Sequence, residues 1–207
     1  METGRSDQLR SIIGYKGYLS KIYQLKDSQV EFLIFSELNY ANSPSFVNAL
    51  PTALKVSNIL NSFNVHYTYR TWFKFGSWQS IRSSSTKQTN SHKFDYTNYS
   101  TTTNTTINWP KKVYWNSNVA FNRSVSSFSK PINYTIWNAS VVYRFLKGNN
   151  AELKFSALDL LRQNKAIINT GTSNSITRGT VNVLQQYFMF SVAYYPRIFG
   201  NIGGKKE

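Results

Sequence analysis

The chain has 207 residues, no cysteine, and 24 Lys and Arg against 9 Asp and Glu, which gives a net charge of +15. The absence of cysteine excludes a disulfide framework, a Cys-ligated zinc site and a thiol nucleophile. An aromatic content of 16% argues against disorder. The surplus of positive charge leaves nucleic acid and an anionic membrane surface as candidate partners.

Hydropathy excludes a membrane-spanning helix but not a membrane protein. Residues 1–10 are polar and lack the basic start and apolar stretch of a secretory signal. The apolar runs are short, as at 32–35 and 187–190, whereas a spanning helix needs about 20 apolar residues. A spanning β-strand needs only about 9–11 residues of alternating character.

Period-two alternation dominates the sequence and predicts an all-β chain. Phe63, Val65 and Tyr67 alternate with Asn64 and His66, for example, which is typical of half-buried strands rich in β-branched and aromatic residues. The alternation predicts nine strands, at residues 15–24, 28–42, 56–70, 72–86, 94–108, 113–128, 134–146, 151–161 and 183–197. Helix patterns are poor, and only residues 51–60 suit one short helical turn.

The predicted connections alternate between short and long. Tight turns are expected at 26–27, 70–71, 109–112 and 147–150, and longer connections at 43–55, 87–93, 129–133 and 162–182. Outer-membrane barrels have this arrangement, with short periplasmic turns and longer extracellular loops. The two faces of the predicted strands also agree with such a barrel, since one carries Asn, Ser, Thr, Lys and Arg and the other carries apolar residues. For any single aromatic residue, packing in the core of a soluble sandwich remains the simpler interpretation.

Aromatic residues near predicted strand ends suggest an interfacial girdle. These residues are Trp72, Trp109, Tyr114, Trp137, Tyr194 and Tyr195. In an outer-membrane barrel, aromatic side chains flank the apolar band at both interfaces. The sequence therefore predicts an antiparallel up-and-down meander that forms part of a transmembrane β-barrel.

The last fifty residues carry the most specific motifs. Residues 151–167 read AELKFSALDLLRQNKAI, and residues 182–200 read NVLQQYFMFSVAYYPRIFG. They resemble the penultimate strand, with its D-L-(L/F)-x-x-N step, and the closing strand of Bacteroidetes-type TonB-dependent receptor-like outer-membrane barrels. The step is matched by Asp159, Leu160, Leu161 and Asn164, and the closing strand by Leu184, Tyr187, Phe188, Met189, Ser191, Tyr194, Arg197, Phe199 and Gly200.

The resemblance implies a role in transport. The family's barrel has about 22 strands around an N-terminal plug and takes energy from an inner-membrane partner. This chain departs from it by having no recognisable plug, signal peptide or energy-coupling segment, and residues after Pro51 diverge. We therefore expect a fragment that forms the C-terminal wall of a receptor for a large nutrient in the bacterial outer membrane. The expected division is a polar segment at 1–14, a barrel segment at 15–200 and a basic tail at 201–207.

The expected partners follow from the same resemblance. They are outer-membrane lipid and lipopolysaccharide, the barrel assembly machinery, the remaining barrel and plug of the parent receptor and, through the parent, the energy-coupling protein. The closing strand implies an assembly signal, carried by Leu184, Tyr187, Phe188, Phe190, Val192 and Tyr194. The sequence does not identify the ligand or the residues that bind it.

No residue pattern indicates catalysis, a metal or a cofactor. The chain has two histidines, His66 on the polar phase of a strand and His92 in a loop. Glu31 and Glu37 are about 20 Å apart along a strand at ~3.3 Å per residue, too far to share a proton. Asp159 suits a turn better than acid–base chemistry. The sequence contains no phosphate-binding glycine loop or nucleophile elbow, and we expect no enzymatic activity.

Two other classes of protein remain open. One is a small self-contained outer-membrane barrel with a structural or adhesive role. The other is a soluble basic β-protein that binds single-stranded nucleic acid through stacking and phosphate contacts. Doubled basic residues occur only at 111–112 and 205–206, so we expect no nucleic acid partner, although the full charge of +15 is only partly explained.

Overall fold

The chain folds into an open antiparallel sheet of nine strands, which confirms the predicted all-β up-and-down meander. The computed structural model describes residues 11–47, 50–89, 92–127, 129–164, 166–171, 176–181 and 185–196. The strands are β1 (Ser11–Gln24), β2 (Ser28–Val47), β3 (Leu50–Tyr69), β4 (Phe73–Gln88), β5 (Phe94–Ile107), β6 (Val113–Ser126), β7 (Ser129–Phe145), β8 (Ala151–Leu158), β9 (Ala166–Gly171), β10 (Ile176–Val181) and β11 (Tyr187–Tyr194).

The sheet follows chain order, with strand order β1-β2-β3-β4-β5-β6-β7-β8-β11. β9 and β10 form a separate hairpin between β8 and β11, within a stretch where we expected only a long loop. Each of the nine predicted strands corresponds to one strand of the main sheet, although β1 begins at Ser11, earlier than expected. β1 and β11 lie at the two edges, and the described residues show no pairing between them.

Two of the expected long loops, and the expected helical turn at 51–60, are wrong. β2 and β3 continue as a hairpin from the pair Ser43 and Leu54 to the pair Val47 and Leu50. Among the described residues, β1 pairs with β2 only as far as Asn42 and β4 pairs with β3 only as far as Leu54, so the remainder of the hairpin extends beyond the sheet as a two-stranded arm. The arm contains Pro44 and Pro51; strands without an outer neighbour tolerate proline because no ladder hydrogen bond is lost there.

The other incorrect loop is at 129–133, because β7 already begins at Ser129 and pairs with Ser126 across a register shift in β6. The regular alternation of short and long connections is therefore weaker than the sequence suggested. The four expected tight turns are confirmed, since β1–β2, β3–β4, β5–β6 and β7–β8 are joined by residues 25–27, 70–72, 108–112 and 146–150. We call this edge of the sheet the tight-turn end, and the opposite edge the long-strand end.

Hydrogen bonds tie each tight turn to its neighbour. The Arg70 amide donates to the Asp27 carbonyl (2.8 Å), and the Asn108 amide to the Trp72 carbonyl (2.6 Å). The Arg70 side chain also pairs with the Asp27 carboxylate at 3.2 Å, and this hydrogen bond raises the pKa of Arg70 above its ordinary value. The Arg144 amide bonds to the Lys112 carbonyl in the same way, so the whole tight-turn end is cross-linked.

Asp159 organises the step after β8, as expected for a turn residue. Its side chain, only 2% exposed, accepts hydrogen bonds from the backbone amides of Gln163 (2.9 Å) and Asn164 (3.0 Å). Its own amide donates to the Asn138 side-chain oxygen at 2.9 Å. The residue has a positive φ of 49°, which Asp tolerates better than most residues. The carboxylate therefore stabilises backbone groups of the turn.

We predict that Asp159→Ala destabilises the folded chain by about 1–3 kcal/mol, because two backbone donors lose their acceptor in a buried place. The control is Asp27→Ala, which removes a solvent-exposed ion pair and costs about 0–1 kcal/mol. Urea unfolding of the full chain in detergent micelles measures both changes. Equal losses for the two variants would contradict the role assigned to Asp159.

Candidate functional site

One face of the sheet carries most of the large apolar side chains, although its β5 row is mainly threonine and it also carries Lys21, Gln79 and Arg123. The pairing register places the apolar phase of each strand on the same side, which we call the apolar face. It carries Tyr15, Leu19, Val30, Phe32, Ile34, Leu38, Ile59, Phe63, Val65, Tyr67, Phe73, Phe75, Ile81, Trp115, Val119, Phe121, Trp137, Val141, Leu153, Phe155, Phe188, Phe190 and Val192. The predicted assignment of the alternating phases in these strands is confirmed.

The opposite side, the polar face, carries mainly amides, hydroxyls and charges. Asn64 and His66 of β3 lie on it, as do Asn98 and Asn104 of β5 and Asn118 of β6. Asn118 donates to the Asn104 side chain at 2.6 Å. An apolar patch that includes Leu33, Phe35 and Trp78 interrupts the polar face, and Ile12, Tyr18 and Ile22 of the edge strand β1 also lie on this side and are exposed. This edge strand is therefore apolar on both faces.

In the part of the chain that the structure describes, the apolar face has no second layer against it. Among the described residues, the only buried hydrophobic ones are Val142, Ala151 and Ala157. Leu19, Phe190 and Val192 are each 65–68% exposed. A continuous exposed apolar surface of this extent is unusual for a soluble monomer and marks contact with a partner or a membrane. The soluble sandwich core, the alternative for individual aromatic residues, is absent from the described part of the chain.

The apolar band matches the thickness of a membrane. On β3 it runs from Ile59 to Tyr69, which is ten steps along the strand or about 33 Å at ~3.3 Å per residue. With the strand tilt of about 35–45° found in outer-membrane barrels, this length spans ~23–27 Å, close to their apolar band of about 25 Å. Beyond Ile59 the same face becomes polar at Ser57 and Lys55.

Aromatic rings cluster at the tight-turn end of this band. Tyr69 and Trp72 contact edge to face with ring centroids 5.5 Å apart, and Tyr67 and Phe73 lie 6.0 Å apart. The Trp115 indole donates to the carbonyl of Trp109 at 3.2 Å. This agrees with the expected girdle at Trp72 and Trp109.

Two members of the expected girdle are placed elsewhere. Tyr114 lies on the polar face, where the Arg144 guanidinium stacks over its ring at 4.6 Å and pairs with Glu152 at 3.0 Å. The prediction failed because Val113 and Tyr114 are adjacent, so only one of them can share the apolar phase. Trp137 has the expected face but lies inside β7, opposite Val119.

The predicted assembly strand is β11, an edge strand of the sheet. Phe188, Phe190, Val192 and Tyr194 lie on the apolar face, and Phe188 stacks on Phe155 with ring centroids 6.0 Å apart. Tyr187 is on the polar face. Leu184 lies outside the described residues. Recognition of this strand by an assembly machinery stays a prediction.

The described residues contain no group of three His, Asp or Glu side chains that could hold a metal ion. Within that part of the chain, no helix is sufficiently long and apolar for a membrane span. Glu31 and His66 are paired across β2 and β3 on the polar face, and Glu37 accepts a hydrogen bond from Asn39 at 2.9 Å. These side chains follow the polar phase and do not converge on a site.

A buried polar cluster supports the arm at the long-strand end, and the sequence did not suggest it. Gln88 is 2% exposed, and its amide donates to the hydroxyls of Ser45 and Thr52, both at 3.1 Å. Ser45 and Thr52 belong to residues that we expected in a loop, so their pairing with β4 could not be anticipated.

No family model matches the chain, and no curated protein matches it. Among solved structures, it is similar to in-vitro folded OmpT, an outer membrane protein of Vibrio cholerae, with 10% identity and a TM-score of 0.40. The trimer form of the same protein gives 10% identity and a TM-score of 0.42. Each match covers 86% of this chain and 64% of the OmpT chain. These TM-scores are too low for the likeness to carry an argument about family or function.

Neighbouring residues on opposite faces of β3 give a matched test of the apolar face. We predict that Val65→Arg destabilises the bilayer-embedded chain by about 2–4 kcal/mol, because it places a charge near the middle of the hydrocarbon layer. His66→Arg puts the same side chain on the polar face and is expected to change stability far less. Denaturant unfolding from phosphatidylcholine vesicles measures both variants, and equal losses would contradict the assignment of the faces.

Proposed function

We propose that the chain forms the C-terminal wall of an outer-membrane β-barrel. The observation that supports it is the single-layer sheet with one exposed apolar face of bilayer height and one polar face. In such a barrel the apolar face contacts lipid and the polar face lines the interior. The tight turns would then lie in the periplasm, and the arm and the β9–β10 hairpin on the outside.

The direction of the edge strands favours a segment of a larger barrel. β1 leads into the tight turn at 25–27, and β11 pairs antiparallel with β8, which leaves the tight turn at 146–150. Both edge strands therefore run toward the tight-turn end, parallel to each other. Bacterial outer-membrane barrels close with antiparallel pairs and an even number of strands. Antiparallel closure of this sheet requires an odd number of further strands.

We further propose that the parent barrel is a TonB-dependent receptor-like transporter for a large nutrient. This proposal rests on the resemblance of residues 151–200 to the last two strands of that family, including the turn at Asp159. Its plug, the remaining strands and, through the parent, an inner-membrane energy-coupling protein would be the partners. The chain would serve as barrel wall without enzymatic activity, and β11 as the strand recognised by the assembly machinery.

The second candidate is a small self-contained barrel. The same apolar face supports it, but the nine strands would need either one parallel closing pair or a tenth strand. The nucleic acid candidate has less support, because binding to single strands does not account for the broad apolar face.

Outer-membrane fractionation and heat-modifiable migration in detergent gels test the membrane location. We expect the chain, expressed in its native sequence context, to enter the outer-membrane fraction and to migrate differently before and after boiling. A chain that stays monodisperse in buffer without detergent would refute the proposal.

Hydrogen exchange of the isolated full chain, folded in micelles, separates the two membrane candidates. An open wall predicts that edge amides of β1 exchange faster than those of the central strand β6, because β1 lacks a partner on one side. Protection of β1 equal to that of β6 would favour the self-contained barrel.

A further inference from the structure

Two lysines occupy an unusual place on the apolar face. Lys55 of β3 and Lys87 of β4 are directly paired across the strands at the long-strand end, and both are exposed. Like charges directly opposite each other destabilise a sheet. The ion pairs of the described residues are Arg70–Asp27, Lys93–Asp95 and Arg144–Glu152, so neither lysine has an acidic partner there.

The pair lies beyond the rim of the apolar band, on the side of the long-strand end. Lys55 lies four residues beyond Ile59, about 13 Å along the strand at ~3.3 Å per residue. The row between them is polar, since Ser57 is opposite Ser85. A lysine at this height would lie among the lipid headgroups.

We propose that Lys55 and Lys87 together bind the phosphate of a membrane lipid whose acyl chains lie along the apolar face. The inference rests on the proposed membrane location of the sheet. Each ammonium group supplies three hydrogen-bond donors, and a phosphate between them replaces their mutual repulsion with two charge-assisted contacts. A lipid phosphate already resides at this depth and needs no further ordering to reach the pair.

A groove on the same face lies where the acyl chain would descend. It has a volume of about 940 Å³ and is lined by the apolar residues Phe63, Ile81 and Phe121 and by the polar residues Asn61, Gln79 and Arg123, among others. Phe63 is eight residues from Lys55 on the same strand, about 26 Å at ~3.3 Å per residue. Headgroup and tail would thus contact one continuous surface of β3 and β4.

The test uses the full chain folded in vesicles of phosphatidylcholine, with or without phosphatidic acid, followed by native mass spectrometry of the lipids that remain bound. The double variant Lys55→Gln with Lys87→Gln is expected to lose preferential binding of phosphatidic acid by about tenfold or more, because charge-assisted hydrogen bonds are the strong ones. The matched control is Lys74→Gln with Lys154→Gln, which removes the same charge from the polar face and is expected to keep the preference.

The outcomes separate this inference from the proposed function. A wild-type chain that inserts and shows heat-modifiable migration, yet binds both lipids equally, would overturn the inference and leave the membrane location intact. A chain that fails to insert would contradict the proposed function itself. Equal loss in the control variant, or displacement of bound phosphatidic acid by free inorganic phosphate or an oligonucleotide, would also overturn a lipid-specific site. Migration of each variant on the gel verifies that it is folded.

Discussion

The fold depends on one constraint. Each strand has two faces in different surroundings, and the described residues place no second layer on the sheet. In a sandwich, the apolar side chains of two sheets cover each other. Here Phe63, Phe121 and Phe190 lie on the same side of one sheet, with no protein against them in the described part of the chain. The apolar surroundings must therefore come from a partner or a membrane, and the proposed barrel wall takes them from the lipid bilayer.

Backbone hydrogen bonds link neighbouring connections at both ends of the sheet, for example from Thr89 to Ala53 at the long-strand end. Bonds from Arg70 to Asp27 and from Arg144 to Lys112 link successive turns at the tight-turn end, while the opposite end also carries the arm and the separate β9–β10 hairpin. A barrel wall benefits from these links, because a cross-linked rim fixes the relative height of the strands. The arm and the separate hairpin can then vary without disturbing the apolar band.

The alternation of apolar and polar residues was sufficient to predict the strands and their faces, because it repeats several times within each strand. The prediction failed where the structure depends on single residues. Residues 43–55 were expected to form a loop, but the described residues among them continue the β2–β3 hairpin as the arm. Tyr114 was assigned to the girdle by residue type, although its phase places it beside Arg144. The lysine pair depends on the register between β3 and β4, which no pattern within one strand reveals.

The shared direction of β1 and β11 also limits how such a sheet can change in evolution. Removal of one strand would reverse the direction of all strands on one side of the deletion and place their turns at the wrong membrane surface. Removal or duplication of a hairpin keeps every remaining strand in its direction. The hairpin is therefore the unit by which this wall can gain or lose width. The β2–β3 arm and the β9–β10 hairpin can lengthen without changing the number of strands in the sheet.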